Sequence, residues 1–567
     1  MDGEVPENNM IQETLKKYIE ETISALYEKK VAYTLEHPKE IIHGDYATNV
    51  ALILAKDIGI SPIDCAKHIV NSMQTTLPEH VARIEIAGPG FINFHLHKQF
   101  FVEKIQTILA QKETYGISEI YKNKKILIEH SSPNLFKPFH IGHFMNNAIG
   151  ESLVRLARAS GADIRTMSFP SDISLGVAKA LFVLEKNGNP PFDISVAGQA
   201  YVDGTKVYEE DETTHARIKE IADNIYNNVP SPELDVYNHY KLSNIVYFEK
   251  ITARLGSHFD SYIYESEAGI DGKHLVQKNT PAIFTESDGA IVYVPEENKK
   301  HLNTAVFINS QGNPTYEAKD LGLLEMKFNR EQPDISLFVT DYQQVPHFQI
   351  VLDVAEKINA KWVQNSIHIP HGRMSFKGQK MSSRLGGVPL VETLIDTVIE
   401  AVAEKAPELS ESTKEQIAIG ALKFVILRTT AGKNINFDPD TSLSFEGDSG
   451  PYLQYTAVRA RSIIEKAESQ NETFDFNTAG NTIVLPIEKM LARFPEIIDY
   501  TISEWAPHHL VGYLLELAQT FNSWYAHTKI IDSENEQQSY NIATTKAFYQ
   551  TMKNGLAMLA IDIPDKM

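Results

Sequence analysis

The stretch from 124 to 167 limits the fold more than any other part of this 567-residue chain. Lys124-Lys125-Ile126-Leu127-Ile128-Glu129 is a short apolar run of the kind that forms a parallel strand buried on both faces. A loop follows, and then Met145, Ile149, Leu153 and Leu156 recur at helical spacing, with Gly161 as a C-terminal stop. Asp163-Ile164-Arg165-Thr166-Met167 starts another strand. Strand, helix and strand in that order call for an α/β domain with helices packed on a parallel sheet.

The rest of the chain is too long to share one core, because cores stop growing near about 250–300 residues. Residues 9–30 and 47–75 carry helical spacing, and Ile84 and Ile86 followed by Gly88-Pro89-Gly90 and Phe91-Ile92-Asn93-Phe94 read as a hairpin. These make a small α/β module over 1–97, joined by a helical linker at about 98–112. Strand-helix alternation resumes near 304–356, with strands at 304–308 and 336–340, so the nucleotide-binding domain spans 113–445. The acidic, mixed stretch at about 185–300 reads as an insertion within it. From about 391 the pattern becomes helical, with aromatic residues among arginines and lysines, and 446–567 is expected to be a separate helical domain.

The loop before the central helix reads Ser131-Ser132-Pro133-Asn134-Leu135-Phe136-Lys137-Pro138-Phe139-His140-Ile141-Gly142-His143. A helix N-terminus offers free N–H groups and the positive end of a dipole, Gly142 admits a close ligand, and two imidazoles flank it as donors. That is a plausible triphosphate site, although a four-residue His-x-Gly-His occurs by chance about as readily. Far downstream lies Gly378-Gln379-Lys380-Met381-Ser382-Ser383-Arg384-Leu385-Gly386-Gly387, a glycine-flanked loop suited to closing over a triphosphate. Alone it would be a surface loop. As a pair, on the first crossover and beyond the last strand, the two resemble the HIGH and KMSKS motifs of class I aminoacyl-tRNA synthetases.

Over nearly the whole chain the sequence is similar to arginyl-tRNA synthetases specifically. The pattern E-x-S-S-P-N-x-x-K-P-x-H-x-G-H is met by Glu129, Ser131 to Asn134, Lys137, Pro138 and His140 to His143. G-D-Y-x-x-N is met by Gly44, Asp45, Tyr46 and Asn49, G-P-G-F-I-N by Gly88 to Asn93, and G-x-S-G-P-Y-L-Q-Y by Gly447 and Ser449 to Tyr455. The resemblance implies a class I Rossmann-type catalytic domain, an N-terminal tRNA-binding α/β module and a C-terminal all-α anticodon-binding bundle. It also implies L-arginine, ATP with Mg²⁺ and tRNA(Arg) as substrates, with no prosthetic group.

Residue roles follow from the same resemblance. Lys137, His140, His143 and Lys380 are the catalytic candidates, and Pro138, Gly142, Met374, Met381, Ser382 and Ser383 join His140, His143 and Lys380 around ATP. Arginine falls to Glu129, Ser131, Asn134, Tyr316, Asp320 and Gln344, and tRNA to Asp45, Tyr46, Asn49, Tyr452, Tyr455 and Arg459. A planar guanidinium with five donors does call for carboxylates in fork geometry, and Tyr316 and Asp320 share a helical face at i and i+4. Two departures stand out: Ser383 replaces the second lysine of KMSKS, with Lys137 expected to compensate, and Asp172-Ile173-Ser174 stands where D-x-G is expected.

Several other functions are disfavoured. A net charge of −21 argues against nonspecific coating of nucleic acid, DNA included. No window approaches the ~18 apolar residues of a membrane span, and the start, MDGEVPENNM, has no signal-peptide pattern, so a cytoplasmic protein is expected, as a monomer. The single cysteine, Cys65, reads as buried filler and cannot build a thiolate zinc site, which weighs against a cysteine-specific synthetase; no protein metal cage is expected. A small nucleotidylyltransferase would have no use for the helical domain, and intact His140, His143 and Lys380 speak against an inactive RNA-binding paralogue.

Overall fold

The computed structural model describes residues 10–377, 389–472, 476 and 483–567. The N-terminal module packs helices α1 (Met10–Tyr27), α2 (Val50–Ile58) and α3 (Pro62–Met73) on an antiparallel sheet. Its strands are β1 (Leu35–Glu36), β2 (Tyr46–Thr48), β3 (Val81–Ala87) and β4 (Phe91–Leu96), in the order β1-β2-β4-β3. The hairpin read at 84–94 is β3–β4, and Cys65 is fully buried among the apolar residues of α2 and α3.

Helix α4 (Lys98–Gln111) is more than a linker. Its Val102, Ile105 and Ile108 are buried in the same core as Leu491, Phe494 and Phe548 of the C-terminal helices. Next, Tyr115 Oη donates to Leu491 O at 2.9 Å, and Gly116, with φ +90°, lies so close to Phe494 that a Cβ would come within 2.3 Å of its ring.

The catalytic sheet is parallel, in the order β12 (Ser366–His371), β11 (Ile335–Asp341), β5 (Lys125–Glu129), β6 (Asp163–Ser168), β7 (Ser261–Tyr262). Helix α5 (Ile141–Arg158) crosses from β5 to β6 and packs on β5, β6 and β11. The chain order reverses about β5, with β6 on one side and β11 on the other. Ligands bind at such a switch point, outside the C-terminal ends of the strands.

Two expectations change here. Strand β10 (Ala305–Ile308) does not join the catalytic sheet: it pairs antiparallel with β9 (Ala290–Tyr293), which pairs with β8 (Thr285–Ser287). The stretch 185–300, read as an insertion, does supply helices α7 (Ile194–Glu210), α8 (His215–Tyr226) and α9 (Pro232–Arg254), which pack with the preceding α6 (Leu175–Lys186) around one apolar cluster. It also supplies β7, the edge of the catalytic sheet, and then α10 (Glu265–Lys278). A two-residue strand is too short for periodicity to reveal.

Beyond α11 (Tyr316–Arg330), α12 (Val345–Ile358) and α13 (Ala360–Gln364), strand β13 (Met374–Phe376) pairs with β14 (Ile435–Phe437). Helices α14 (Val391–Lys405) and α15 (Glu411–Arg428) pack back onto α5. After the short α16 (Pro439–Ser442) comes the terminal bundle of α17 (Gly450–Ser469), α18 (Pro486–Ser503), α19 (Pro507–His527) and α20 (Gln538–Met558).

The N-terminal module docks on α18 through polar groups. His37 Nε2 lies 2.9 Å from Glu496 Oε2, Tyr46 Oη donates to the same carboxylate, and Lys489 pairs with Asp45 at 2.9 Å. The second oxygen of Asp45 accepts Leu96 N at 2.8 Å. Asp45 is 5% and Tyr46 3% exposed, so neither presents itself to a nucleic acid. Their assignment to tRNA is replaced by an interdomain one. Removing one partner of a buried ion pair costs about 3–5 kcal/mol. Asp45→Ala is therefore expected to destabilise the protein by about that much, seen as a lower urea midpoint, and an unchanged midpoint would contradict the docking role.

Candidate active site

The first turn of α5 organises the site. His140 is its N-cap, with Nδ1 accepting Gly142 N at 3.1 Å, while His143 Nδ1 accepts His140 N at 3.2 Å. The rings stack with centroids 3.7 Å apart. Burial, followed by the charge of Lys137, lowers the pKa of His140; burial, then His140, Lys137 and His371, lowers that of His143 well below the ordinary value. Both imidazoles are neutral at pH 7. Because each Nδ1 is an acceptor, each Nε2 carries the proton and serves as the donor.

Beside this turn opens a cavity of about 510 Å³ at the C-terminal ends of β5 and β11. Five carboxylates line it, those of Glu129, Glu265, Glu317, Asp320 and Asp341, and among the described residues its wall contains no lysine or arginine. Two buried lysines stand behind the wall, and an exposed arginine pairs with a third carboxylate. Lys327, 2% exposed, pairs with Glu129; Lys319 lies 2.7 Å from Glu265 and donates to Ile173 O at 3.0 Å; Arg373 is 3.6 Å from Asp341. His347 Nε2 lies 2.5 Å from Asp320 and its Nδ1 3.6 Å from Glu317. Burial opposes a charge on His347, but the hydrogen bonds and charges of Asp320 and Glu317 outweigh it and raise the imidazole to about 9.

Of the residues expected to bind arginine, Glu129, Asn134, Tyr316, Asp320 and Gln344 line this cavity. Ser131 does not. Its φ of +57° turns the side chain inward, where Oγ meets Asn147 Nδ2 at 3.0 Å and His130 Nδ1 at 2.9 Å; Ser132 takes the wall position. Of the ATP candidates, His140, Gly142 and His143 line the cavity. Pro138 and Met374 are not on its wall: Pro138 packs against Gly198 of α7, and Met374 pairs with Ile435 in the β13–β14 ladder. The Nζ of Lys137 sits 4.1 Å above the Tyr201 ring. Lys380, Met381, Ser382 and Ser383 lie outside the described residues. The segment that follows them is anchored at the histidine motif, since Ile141 N donates to Pro389 O and Val391 N to Phe139 O, each at 2.9 Å.

Sequence reasoning missed Ser132, Glu265, Glu317, Asp341, His347, Phe348 and His371. A signal existed for two of them. Glu317 adjoins Tyr316, and His347 is three residues beyond Gln344, so each falls in the first turn of a helix already credited with a site residue. The D-x-S departure has a structural explanation. Asp172 is fully buried and accepts Tyr237 Oη at 2.9 Å, Lys241 Nζ at 2.6 Å and Ser266 N at 2.9 Å, while Ser174 caps α6 by accepting Val177 N. The turn anchors the loop beneath Phe169 and Ser171, which line the cavity.

In the bundle, Arg459 lies over the Tyr455 ring at 4.8 Å and donates to Asn522 Oδ1 at 2.6 Å, and Asn522 donates to Tyr452 Oη at 2.9 Å. Asn49, half-buried at the head of α2, accepts Thr34 N at 2.8 Å through Oδ1.

Comparison with known proteins gives three family matches. Residues 11–96 match the arginyl tRNA synthetase N terminal domain, 104–438 the class I (R) tRNA synthetase catalytic domain, and 453–567 the DALR anticodon binding domain. The chain is 32% identical to an arginine–tRNA ligase of Borreliella burgdorferi over 85% of this chain and 87% of the relative. It is 28% identical to that of Clostridium perfringens over 98% and 99%. Among solved structures, the Thermus thermophilus arginyl-tRNA synthetase superposes with a TM-score of 0.79 at 22% identity, covering 98% of this chain and 100% of that one. The Plasmodium falciparum enzyme gives 0.78 at 19%, covering 98% and 99%.

The buried imidazole behind the motif carries a pH signature. Burial pushes His130 down to about 3, while an unfolded histidine titrates near about 6.5. The unfolded chain thus binds a proton below about pH 6.5 that the folded chain refuses, so this contribution to stability is present above about 6.5 and lost as pH falls toward about 3. Each such group adds about 1.4 kcal/mol per pH unit of acid sensitivity in that window. His130→Asn should reduce the slope of unfolding free energy between pH 6 and 4 by about that amount, and an unchanged slope would place the proton elsewhere.

Proposed function

This chain belongs to the arginyl-tRNA synthetases, class I arginine–tRNA ligases, and on that premise we propose how its cavity performs the reaction. Arginine lies among the carboxylates with Asp320 and Glu129 as its charged contacts, one on the guanidinium and the other on the α-ammonium. Asn134, Tyr316 and Gln344 complete the contact, with Ser132 in place of Ser131. ATP, entering with Mg²⁺, lies at the first turn of α5, where the two neutral imidazoles offer Nε2–H donors to its phosphates. The observation that carries this reading is the acidic cavity, walled by carboxylates and meeting the capped helix N-terminus at one mouth.

Activation is an in-line attack by the arginine carboxylate on the α-phosphate, which expels pyrophosphate and leaves arginyl-adenylate. The arginyl group then passes to the 3′ end of tRNA(Arg). The first step depends on positioning and charge stabilisation more than on proton transfer. Lys137 swings from the Tyr201 face to the departing pyrophosphate and shares that charge with Lys380. On the tRNA side, Asn49 in the 1–97 module and the Tyr452–Tyr455–Arg459 face in the 446–567 bundle are the contacts, the aromatic rings serving as stacking surfaces. The protein works as a cytoplasmic monomer; among the described residues no helix is long and apolar enough to cross a membrane.

A charging assay with total tRNA and each of the twenty amino acids is expected to yield product with arginine alone. Loss of a charged partner in a closed site costs roughly 2–5 kcal/mol, so Asp320→Asn should cut kcat/KM for arginine at least about 30-fold with tRNA affinity little changed. Near-normal charging by a folded Asp320→Asn protein would remove Asp320 from the pocket. For Lys137→Ala, losing one donor to a developing oxyanion should lower kcat by about 10²–10³ while the KM for arginine moves little. A kcat within a few-fold of wild type would end the compensation role.

A further inference from the structure

The cavity holds an imidazole that the activation chemistry does not use. His347, in the first turn of α12, reaches two carboxylates of α11, with Nε2 2.5 Å from Asp320 and Nδ1 3.6 Å from Glu317. The neighbouring strand β12 contributes His368, whose Nε2 lies 2.7 Å from Thr340 Oγ1; burial, with the charge of His347, pushes it down to about 4, so it is neutral. The other wall carboxylates have their own cations in Lys327, Lys319 and Arg373. Among the described residues, Glu317 and Asp320 therefore share the one charge of His347.

We propose that His347 is the internal counter-ion of the empty arginine pocket, and that arginine binding drives a proton from its imidazole into solvent as the guanidinium takes over Asp320. The inference rests on Asp320 being the guanidinium acceptor. A bidentate pair uses both carboxylate oxygens, and Oδ2 is the one His347 occupies. Two cations on one carboxylate stand about 5 Å apart, where an effective dielectric of about 20 makes their repulsion worth roughly two pH units of titration. The incoming guanidinium therefore lowers the imidazole from its starting value of about 9. The charges balance. One imidazolium proton passes to the buffer, one guanidinium enters, and the trio together with the guanidinium keeps the net charge the trio had before. By linkage, arginine affinity rises as pH goes from 7 to 9.

The test is calorimetric titration of L-arginine into the full chain at pH 8, in phosphate and in Tris, whose protonation enthalpies differ. More than about half a proton should be released per arginine bound, and His347→Gln should release none. A wild-type heat that is independent of buffer overturns the proposal without reference to any variant. So does equal release by wild type and His347→Gln. Asp320→Asn separates the two readings. If it loses arginine affinity about 30-fold or more while the wild type releases no proton, the proton exchange alone is wrong. If it binds arginine normally, the pocket assignment fails and this inference fails with it.

Discussion

The capped first turn of α5 is the constraint from which the rest of the structure follows. Its two imidazoles satisfy N–H groups that a helix start leaves open, and in doing so they fix their own tautomers. The same helix lies so close to the loop after β5 that a Cβ on Gly150 would stand 2.2 Å from the His130 ring. At its other end Arg155 donates to Ala557 O at 2.9 Å and Gly256 O at 3.1 Å, and Ser152 donates to Met558 O at 3.2 Å. One rigid element of 18 residues thus joins the two capping imidazoles to the end of the C-terminal bundle. Lys423 adds a second tie, donating to Leu255 O at 2.7 Å and Ala560 O at 2.5 Å from a site where burial pushes its ammonium down to about 8.

The acidity of the cavity is affordable because most of it is answered from behind. Isolated buried carboxylates would take up protons rather than remain charged. Lys327 and Lys319, both on α11, lie beneath the wall and pair with Glu129 and Glu265 without entering the cavity. Removing either lysine would leave a carboxylate buried and unpaired, a costlier state than having neither partner. Tyr316, Glu317 and Asp320 sit on the same helix as those lysines, so one element carries both part of the cavity wall and the cations behind it.

Local pattern recovers the parts of this molecule whose cause is local. The alternation and spacing at 84–94, 124–129 and 145–156 correspond to β3–β4, β5 and α5, because period two and period 3.6 follow from backbone geometry within a few residues. The same logic fails at β7, too short to show a period, and at β10, whose composition suits either sheet. Which edge a strand joins depends on hydrogen-bonding partners that its own residues do not name.

The motifs were legible in the same way, and they located the cavity, the capped helix and under half of its polar lining. The direction of each side chain was not legible. Asp45 and Tyr46 looked like a surface recognition turn, but their partners Lys489 and Glu496 lie more than 400 positions away in the chain, and only docking reveals the burial. Ser131 and Ser132 are equivalent as letters, and a single positive φ sends one inward and leaves the other on the wall. The sequence by itself determined the class of fold, the family and the position of the helix whose capped first turn opens on the cavity. The tertiary structure decided which cation answers each carboxylate and which histidine stands among them, because charge compensation acts through space between residues that backbone periodicity never relates.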